Sequence, residues 1–598
     1  MTEPADWSAP IDWSAGAPRS ARFDDTYFSA EDGLAETRAV FLEGCGLPDA
    51  WAGRRHFTVA ELGFGTGLNI LALLDLWRSH RPVGGRLHIF SVEAYPMARE
   101  DAAQALAHWP NLADLTAPLL AGWPDGRRGW RRIEWPDLGA TLDLAVEEVV
   151  TAMTGWTGRA DAWFLDGFAP SRNPEMWRDE VLALVAARSA RGARAASFTV
   201  AGAVRRGLEA QGFAVERAPG FGRKKQRLEA RLTKGAPGLE PPTPRVAILG
   251  AGIAGASLAR ALVKLGAAPR IFDPGGLGAG ASGNSAALVT PRLDAGLGAL
   301  AELYAQAFAR AVDLYRTETA KAVIATGALQ LETSTRDISR FDRIAAWDGF
   351  AAGALARLDS AAASDRLGEV DAQSALAYRD ALTVEPSAIL STWIGDALDR
   401  RAVDRLEQGE GGWSLVDTAG DRMAEADIIV IATGHAAGRF APDLVLRPVR
   451  GQASMAQVPF TGAPTAWGGY AIPTRTGLLF GATHDRGDVE TDVRDADHVR
   501  NLGVLAQGRP AFAARLVNEP LAGRASIRAA TPDHLPLAGA IPGMDGVYVL
   551  AGLGGRGFTL SPILAEQVAA MALGLGGPLP KRLVDAVNPS RAGRAQRG

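Results

Sequence analysis

Cysteine is all but missing: Cys45 is the single one in 598 residues. That excludes an intrachain disulfide and a thiolate-rich metal site. An excess of charge of either sign is missing too, with 63 Lys and Arg against 67 Asp and Glu and a formal net charge of -4. No overall field gathers nucleic acid, although local basic patches still can. No apolar run is long enough to span a bilayer, because even the Ala- and Leu-rich stretches carry frequent charges. The N-terminus, MTEPADWSAPIDWSAG, is acidic and polar, without the basic-then-apolar pattern of a signal peptide. A soluble cytoplasmic protein with no membrane partner is expected.

What is present suits globular domains: 47% apolar and 22% charged residues. The length exceeds what one core ordinarily holds, so two or three domains are expected. The clearest division is TKGAPGLEPPTPR (233–245), rich in Pro and Gly and without periodicity. It predicts a domain over 1–235, a linker over 236–244, a second domain over 245–590 and a loose basic tail over 591–598. Before the linker, apolar strand patterns at 57–63, 87–93 and 161–168 alternate with helical ones at 68–80 and 180–190. That alternation argues for a parallel sheet covered on both faces. After it come a strand over 245–250, a helix over 255–265 and a strand over 269–273.

Two glycine-rich turns stand out. In ELGFGTGLN (61–69), Gly63, Gly65 and Gly67 recur at every second position between strand and helix. The dinucleotide fingerprint needs G-x-G-x-x-G, and this run is one residue short of it. Glu61 suits a cationic or amino group better than a pyrophosphate. Glu93 ends the next strand, where an acid takes both hydroxyls of a ribose. Together they describe a phosphate-free nucleoside, for which S-adenosylmethionine is the candidate. An ordinary tight turn with two solvent-facing acids stays open on local pattern alone. Asp166, in WFLDGFAPSRNPEMW (163–177), closes a later strand at the same sheet edge, where a carboxylate can accept the proton of an amine nucleophile. Phe168, Pro170 and Pro174 would wall the pocket. The alternative is an Asp that merely caps the next turn.

The second turn, in RVAILGAGIAGASLARALVKLGAAPRIFDPG (245–275), is a full fingerprint: Gly250, Gly252 and Gly255 follow a strand and enter a helix, whose N-terminus suits a pyrophosphate. Asp273 closes the following strand, ready for an adenosine ribose. ADIIVIATG (426–434), ending at Gly434, resembles the strand and turn common in flavoproteins. GVYVLAGLGGRGFTLSPILAEQVA, with Gly552 and Gly555, resembles the late return to the flavin in the glycine-oxidase or D-amino-acid-oxidase type. FAD rather than NAD is therefore expected.

A wider resemblance covers both halves. FDDTYFSAEDGLAETRAVFLEG (23–44), ELGFGTGLN, LDGFAPSRNPEMW and GFGRKKQRLEA (220–230), in that order, resemble the bifunctional tRNA 5-methylaminomethyl-2-thiouridine biosynthesis family. The resemblance implies an α/β fold: a class I methyltransferase-like (Rossmann-like) domain, then an FAD-binding Rossmann domain with an interleaved α+β substrate domain. It places the methyl-donor turn on Glu61, Gly63, Phe64, Gly65, Thr66, Gly67 and Asn69, the ribose-side acid on Glu93 and the catalytic loop on Asp166 to Pro170, with Phe168 at the substrate. In the second half it implies that the loop GLGAGASGN, with Ser282 and Asn284, runs along FAD. The implied chemistry is oxidative removal of a carboxymethyl group from 5-carboxymethylaminomethyl-2-thiouridine, then N-methylation of the amine left behind. A substrate carboxylate calls for an arginine. Arg556 is the first candidate, and Arg450 and Arg528, in LRPVRGQAS and ASIRAATPDHLPLAG, compete with it. His534 is as readily structural as catalytic. The implied partner is a tRNA anticodon loop with a modified wobble uridine, not DNA, and a monomer is expected. VRRG (204–207) and GRKKQR (222–227) are candidate contacts for its phosphates, or plain solvated surface. Residues 300–425 match little beyond ALTVEPSAIL (381–390). A fused small-molecule oxidase and methyltransferase, or a non-catalytic RNA-binding protein, are the competing readings.

Overall fold

The computed structural model describes residues 9–14, 16–29, 32–124, 127–222, 224–235, 242–293, 297–351 and 353–591. Most of the expected linker, 236–241, and the tail from 592 onward lie outside the described residues. The chain divides into two units: Met1–Pro242 with Lys264–Gly266 and Gly574–Lys581, and Thr243–Val263 with Ala267–Leu573 and Arg582–Gly598.

The first unit is built around β1 (His56–Leu62), a run of β-favouring residues whose last four are all buried. Its side chains alternate between two cores: Phe57 and Val59 pack with Trp51 and Trp77, while Ala60 and Leu62 pack with Trp156 and Trp163. After the glycine turn, α1 (Leu68–His80) buries every residue from Leu68 to Leu74 and carries Arg78 and His80 in its last turn, where cations suit the helix dipole. β2 (Arg86–Val92), β3 (Gly129–Trp135), β4 (Ala140–Val146), β5 (Ala160–Leu165), α2 (Asp179–Ala187), β6 (Ser189–Ser197), α3 (Gly202–Ala210), β7 (Phe213–Pro219) and β8 (Gln226–Leu232) complete it. The sheet order is β7-β8-β6-β5-β1-β2-β4-β3. Its centre is parallel, with β1 between β2 and β5, and antiparallel strands close both edges. The chain leaves β1 for one side and returns on the other, which opens a crevice at the carboxyl ends of β1 and β5.

The second unit begins with β9 (Val246–Leu249), wholly buried, α4 (Ile253–Lys264) and β10 (Arg270–Phe272). Next come α5 (Ala299–Thr317), β11 (Val323–Leu331), β12 (Ala375–Val384), β13 (Leu398–Asp399), β14 (Ile428–Ile431), β15 (Arg447–Ala456), β16 (Leu478–Gly481) and β17 (Ala522–Ala530). The last strands are β18 (Leu537–Ala540) and β19 (Val547–Ala551), and α6 (Gly557–Ala572) follows. One sheet runs β13-β10-β9-β14-β19-β18, parallel except for β18. A second, mostly antiparallel sheet of ten strands contains β11, β12, β15, β16 and β17. The Ala-rich stretch 300–425, in which the sequence matched little beyond 381–390, supplies most of α5 and three of the ten strands of that sheet. Buried Glu566 of α6 takes Arg260 of α4 at 2.6 Å and Arg310 of α5 at 2.7 Å, so one carboxylate fastens three helices.

Candidate active sites

A cavity of about 680 Å³ opens in the first unit over the carboxyl ends of β1 and β5. Gly63 stands at φ +95°, and a Cβ there would collide with the Asp166 carbonyl oxygen. Only glycine lets the β1 and β5 loops meet so closely. Phe64, Gly65, Thr66 and Asn69 line the cavity with Gly63. Glu93, also lining it, accepts from Gly65 N at 3.1 Å and Tyr95 N at 2.9 Å. Burial holds its carboxyl above the usual range against those two donors.

Asp166 faces the same cavity, and Asn69 joins it to Glu61. The Asn69 Nδ2 donates to Asp166 Oδ2 at 2.6 Å and to Glu61 Oε1 at 3.0 Å, while Oδ1 accepts from Thr37 Oγ1 at 2.8 Å. Ser91 Oγ donates to the other Glu61 oxygen at 2.5 Å. Burial pushes Asp166 up to about 7, opposed by its Asn69 bond and by Lys224. Burial likewise pushes Glu61 up to about 8, opposed by Ser91 and reinforced by the Asp166 charge. A carboxyl near 7 suits proton uptake at neutral pH. Phe168 is sandwiched by Phe23, ring centroids 4.9 Å apart, and the edge of Tyr27 at 5.2 Å. Lys224 lies 4.1 Å over the Phe198 ring and pairs with Glu36 at 2.9 Å.

Several expectations need correction here. Glu61 is fully buried, spends both oxygens on Ser91 and Asn69, and does not reach the cavity. Gly67 faces Leu119 and Phe64 instead of the cavity. The wall beside Phe168 is made by Ala169, Asn173 and Met176 rather than by Pro170 and Pro174. VRRG lies on α3 outside the lining, with Arg205 paired to Glu209. Within GRKKQR, Lys224 lines the cavity, and Arg223 is outside the described residues. Thr37 and Ser91 complete the Asn69 network and were not singled out from the sequence, although Thr37 lies within the 23–44 block and Ser91 is two residues before Glu93.

The cavity of the second unit measures about 1080 Å³. Gly250, Gly252, Asp273, Ser282, Asn284, Gly434, Gly552 and Gly555 all line it. Gly255 lies behind it: a Cβ there would strike the Gly250 carbonyl, so this glycine seats α4 on the turn. Ser282 Oγ accepts from Ile253 N at 3.0 Å, and Asp273 accepts from Ala251 N at 2.8 Å and Gly275 N at 2.9 Å. Arg524, unmarked by any motif, fastens the 276–284 loop by donating to the Ala279 carbonyl at 3.0 Å and to Asn284 Oδ1 at 3.3 Å. Its period-two spacing from Arg528 on β17 is the signal that finds it.

Arg528 lines the cavity with Tyr470 and His484 and donates to the Thr483 carbonyl at 2.8 Å. Burial lowers its pKa, with Tyr470 and Asp485 opposing, and among the described residues no carboxylate bridges it. Arg556, directly before α6, also lines the cavity and donates to Thr290 Oγ1. Burial lowers its pKa as well. Arg450 is overturned as a substrate contact: it is fully buried and bound to Asp497 at 2.6 Å and to the carbonyls of Asp492 at 2.6 Å and Glu490 at 3.0 Å. Each of its three nitrogens is already bonded within the protein, and it lies outside the lining. His534 is exposed, at φ +61°, and does not line the cavity.

A family model described as S-adenosyl-L-methionine-dependent methyltransferase matches residues 110–233, and one described as FAD dependent oxidoreductase matches residues 245–571. The tRNA 5-methylaminomethyl-2-thiouridine biosynthesis bifunctional protein MnmC of Caulobacter sp. (strain K31) is 55% identical over 602 residues, covering 99% of this chain and 98% of its own. This chain belongs to the MnmC family. The MnmC of Maricaulis maris (strain MCS10) is 42% identical, covering 98% of this chain and 96% of its own. An L-proline dehydrogenase from P. horikoshii, 18% identical with a TM-score of 0.51, covers 60% of this chain and 99% of its own, a likeness of fold alone. As an MnmC family member the chain combines a methyltransferase with an FAD-dependent oxidoreductase. The residues fit both groups. The Gly63 turn with Glu93 leaves backbone and acid open to S-adenosylmethionine, and the Gly250 turn with Asp273 does the same for FAD. Among the described residues no helix is long and apolar enough to cross a membrane.

Proposed function

We propose that the two units act in succession on the wobble uridine, position 34, of a tRNA anticodon loop. The oxidoreductase removes the carboxymethyl group of 5-carboxymethylaminomethyl-2-thiouridine, and the methyltransferase converts the resulting 5-aminomethyl-2-thiouridine to 5-methylaminomethyl-2-thiouridine. FAD supplies the hydride acceptor and S-adenosylmethionine the methyl group. Oxidation leaves an imine on the substrate, which water hydrolyses with release of glyoxylate. The observation that carries this reading is the pairing of chemistries in one chain: Arg528, which no carboxylate bridges among the described residues, lines one cavity, and Asp166, pushed by burial up to about 7, lines the other.

Arg528 grips the substrate carboxylate through its planar fork. Arg556, held by Thr290 at the start of α6, acts beside the reacting carbon. In the methyltransferase, an alkyl amine with a pKa of about 10 must be neutral to attack, and Asp166 accepts its proton. Phe23 and Phe168 offer rings for a base drawn out of the anticodon stack, and Lys224 pairs with a backbone phosphate. The protein works as a monomer in the cytoplasm, where tRNA is matured.

Mass spectrometry of wobble nucleosides from cells with and without the gene tests this. Deletion is expected to accumulate the carboxymethylaminomethyl form at the expense of the methylaminomethyl form; unchanged pools overturn the substrate. In vitro, Asp166→Ala is expected to lower methyl-transfer turnover by about 10²–10⁴-fold with little change in S-adenosylmethionine affinity. Unchanged turnover removes Asp166 from the chemistry.

A further inference from the structure

We propose that Glu61 is a positioning residue for methyl transfer: it touches neither reactant, but orients the Asn69 amide so that its second hydrogen is delivered to Asp166. This rests on the reading of Asp166 as the proton acceptor. An amide can sit either way round in a site, and its oxygen turned toward Asp166 would set two acceptors against each other. Glu61 prevents that by accepting one Nδ2 hydrogen, with Ser91 pinning it from its far side, and the Thr37 hydroxyl follows by donating to Oδ1. The amide therefore has all three of its bonds satisfied only in the orientation that serves Asp166. Glu61 and Asn69 are both buried, so water offers no substitute for either contact.

The arrangement also couples two acids through one amide. Glu93 at the end of β2, and Asp25 and Glu36 from the N-terminal segment, add further negative charge around the pair, and Lys224 is the cation facing Asp166. Asp166 stands at about 7 and Glu61, raised by burial and by the Asp166 charge, at about 8, so Glu61 is still protonated while Asp166 titrates and acts on it through the Asn69 hydrogen bond. Mutation isolates that bond. Glu61→Gln keeps both contacts, since its oxygen still accepts from Asn69 and its amide donates to Ser91 Oγ, but it carries no charge. Glu61→Ala removes the contact and frees the Asn69 amide to turn.

The test uses the full-length protein with S-adenosylmethionine and a tRNA bearing the primary amine, and measures single-turnover methyl transfer against pH. Glu61→Gln is expected to leave the midpoint of the acidic limb in place, and Glu61→Ala and Asn69→Ala to move it up by up to about one pH unit. Glu61→Ala is expected to slow the plateau rate about tenfold. Infrared spectra of the ligand-free protein give a second readout, in which the protonated-carboxyl band assigned by its loss in Asp166→Asn titrates unshifted in Glu61→Gln and displaced upward in Glu61→Ala. Glu61→Gln preserves volume, and Ser91→Ala, which merely loosens Glu61, is expected to repeat the Glu61→Ala shift in weaker form should that variant not fold. Equal displacements for Glu61→Gln and Glu61→Ala, or none for Glu61→Ala in either readout, overturn the proposal. If Asp166→Ala is itself fully active, the reading of Asp166 has failed instead.

Discussion

At the scale of single residues, the two arginines with the same sequence credentials separate by what surrounds them. On the paired strands β15 and β17 Arg450 is opposite Ile527 and Arg528 opposite Val449, so the two arginines point to opposite faces of the sheet: one is sealed by Asp497 and two carbonyls and the other lines the cavity. Arg450→Ala leaves the buried Asp497 only the half-exposed Arg500 at 3.0 Å, so it is expected to destabilise the oxidoreductase by up to about 3–5 kcal/mol, measured by urea unfolding. Arg528→Ala is expected to leave stability nearly unchanged and to raise the KM for the carboxymethylaminomethyl substrate about 10²-fold. Lysine at 528 recovers part of that loss, because it keeps the charge but not the bidentate fork. A KM effect at 450 without loss of stability would reverse the assignment. Sequence alone could not divide them, since each sits in a matching block and burial depends on a partner strand far along the chain. The same holds for Glu61, placed correctly at the strand end but turned inward to Ser91 by the pleat of β1 against β2.

At the scale of elements, legibility followed locality. The β1–turn–α1 and β9–turn–α4 units are short-range, and alternating apolar strands with glycines at fixed offsets predicted their position to within a residue or two. The ten-strand sheet of the second unit is assembled from strands as distant as β11 and β17, and its Ala-rich members carry weak periodicity, so nothing local marked it. The two glycine turns also predict opposite failures. A methyl group at Gly63 meets the Asp166 carbonyl, whereas one at Gly255 meets the Gly250 carbonyl. Gly63→Ala is expected to abolish S-adenosylmethionine binding by calorimetry while the protein stays yellow. Gly255→Ala is expected to yield protein that retains little flavin by absorbance and still transfers methyl groups. Loss of both activities in either variant would mean that the turns do not act through their own cofactor cavities.

At the scale of the whole molecule, burying acids without a matching cation couples the methyltransferase to pH. Glu61 rises from 4.5 to about 8 and Asp166 from 3.8 to about 7. Between those values the folded state holds protons that the unfolded chain has released, so stability falls as pH rises through the window from about 4 to about 8 and is flat beyond it. This runs opposite to the usual carboxylate, whose salt bridges are lost in acid. Urea unfolding of the full chain at pH 5.5 and pH 8.5 measures it, and the transition that shifts on adding S-adenosylmethionine identifies the first unit. Wild type is expected to be more stable at the lower pH. Glu61→Gln is expected to flatten the difference by removing one of the two contributors. S-adenosylmethionine, carrying positive charge into a cavity lined by Glu93 and Asp166, is expected to stabilise the unit more at pH 8.5 than at pH 5.5. A first unit whose stability is independent of pH, or that gains stability as pH rises, would show that these acids are ionised in the folded state at no cost.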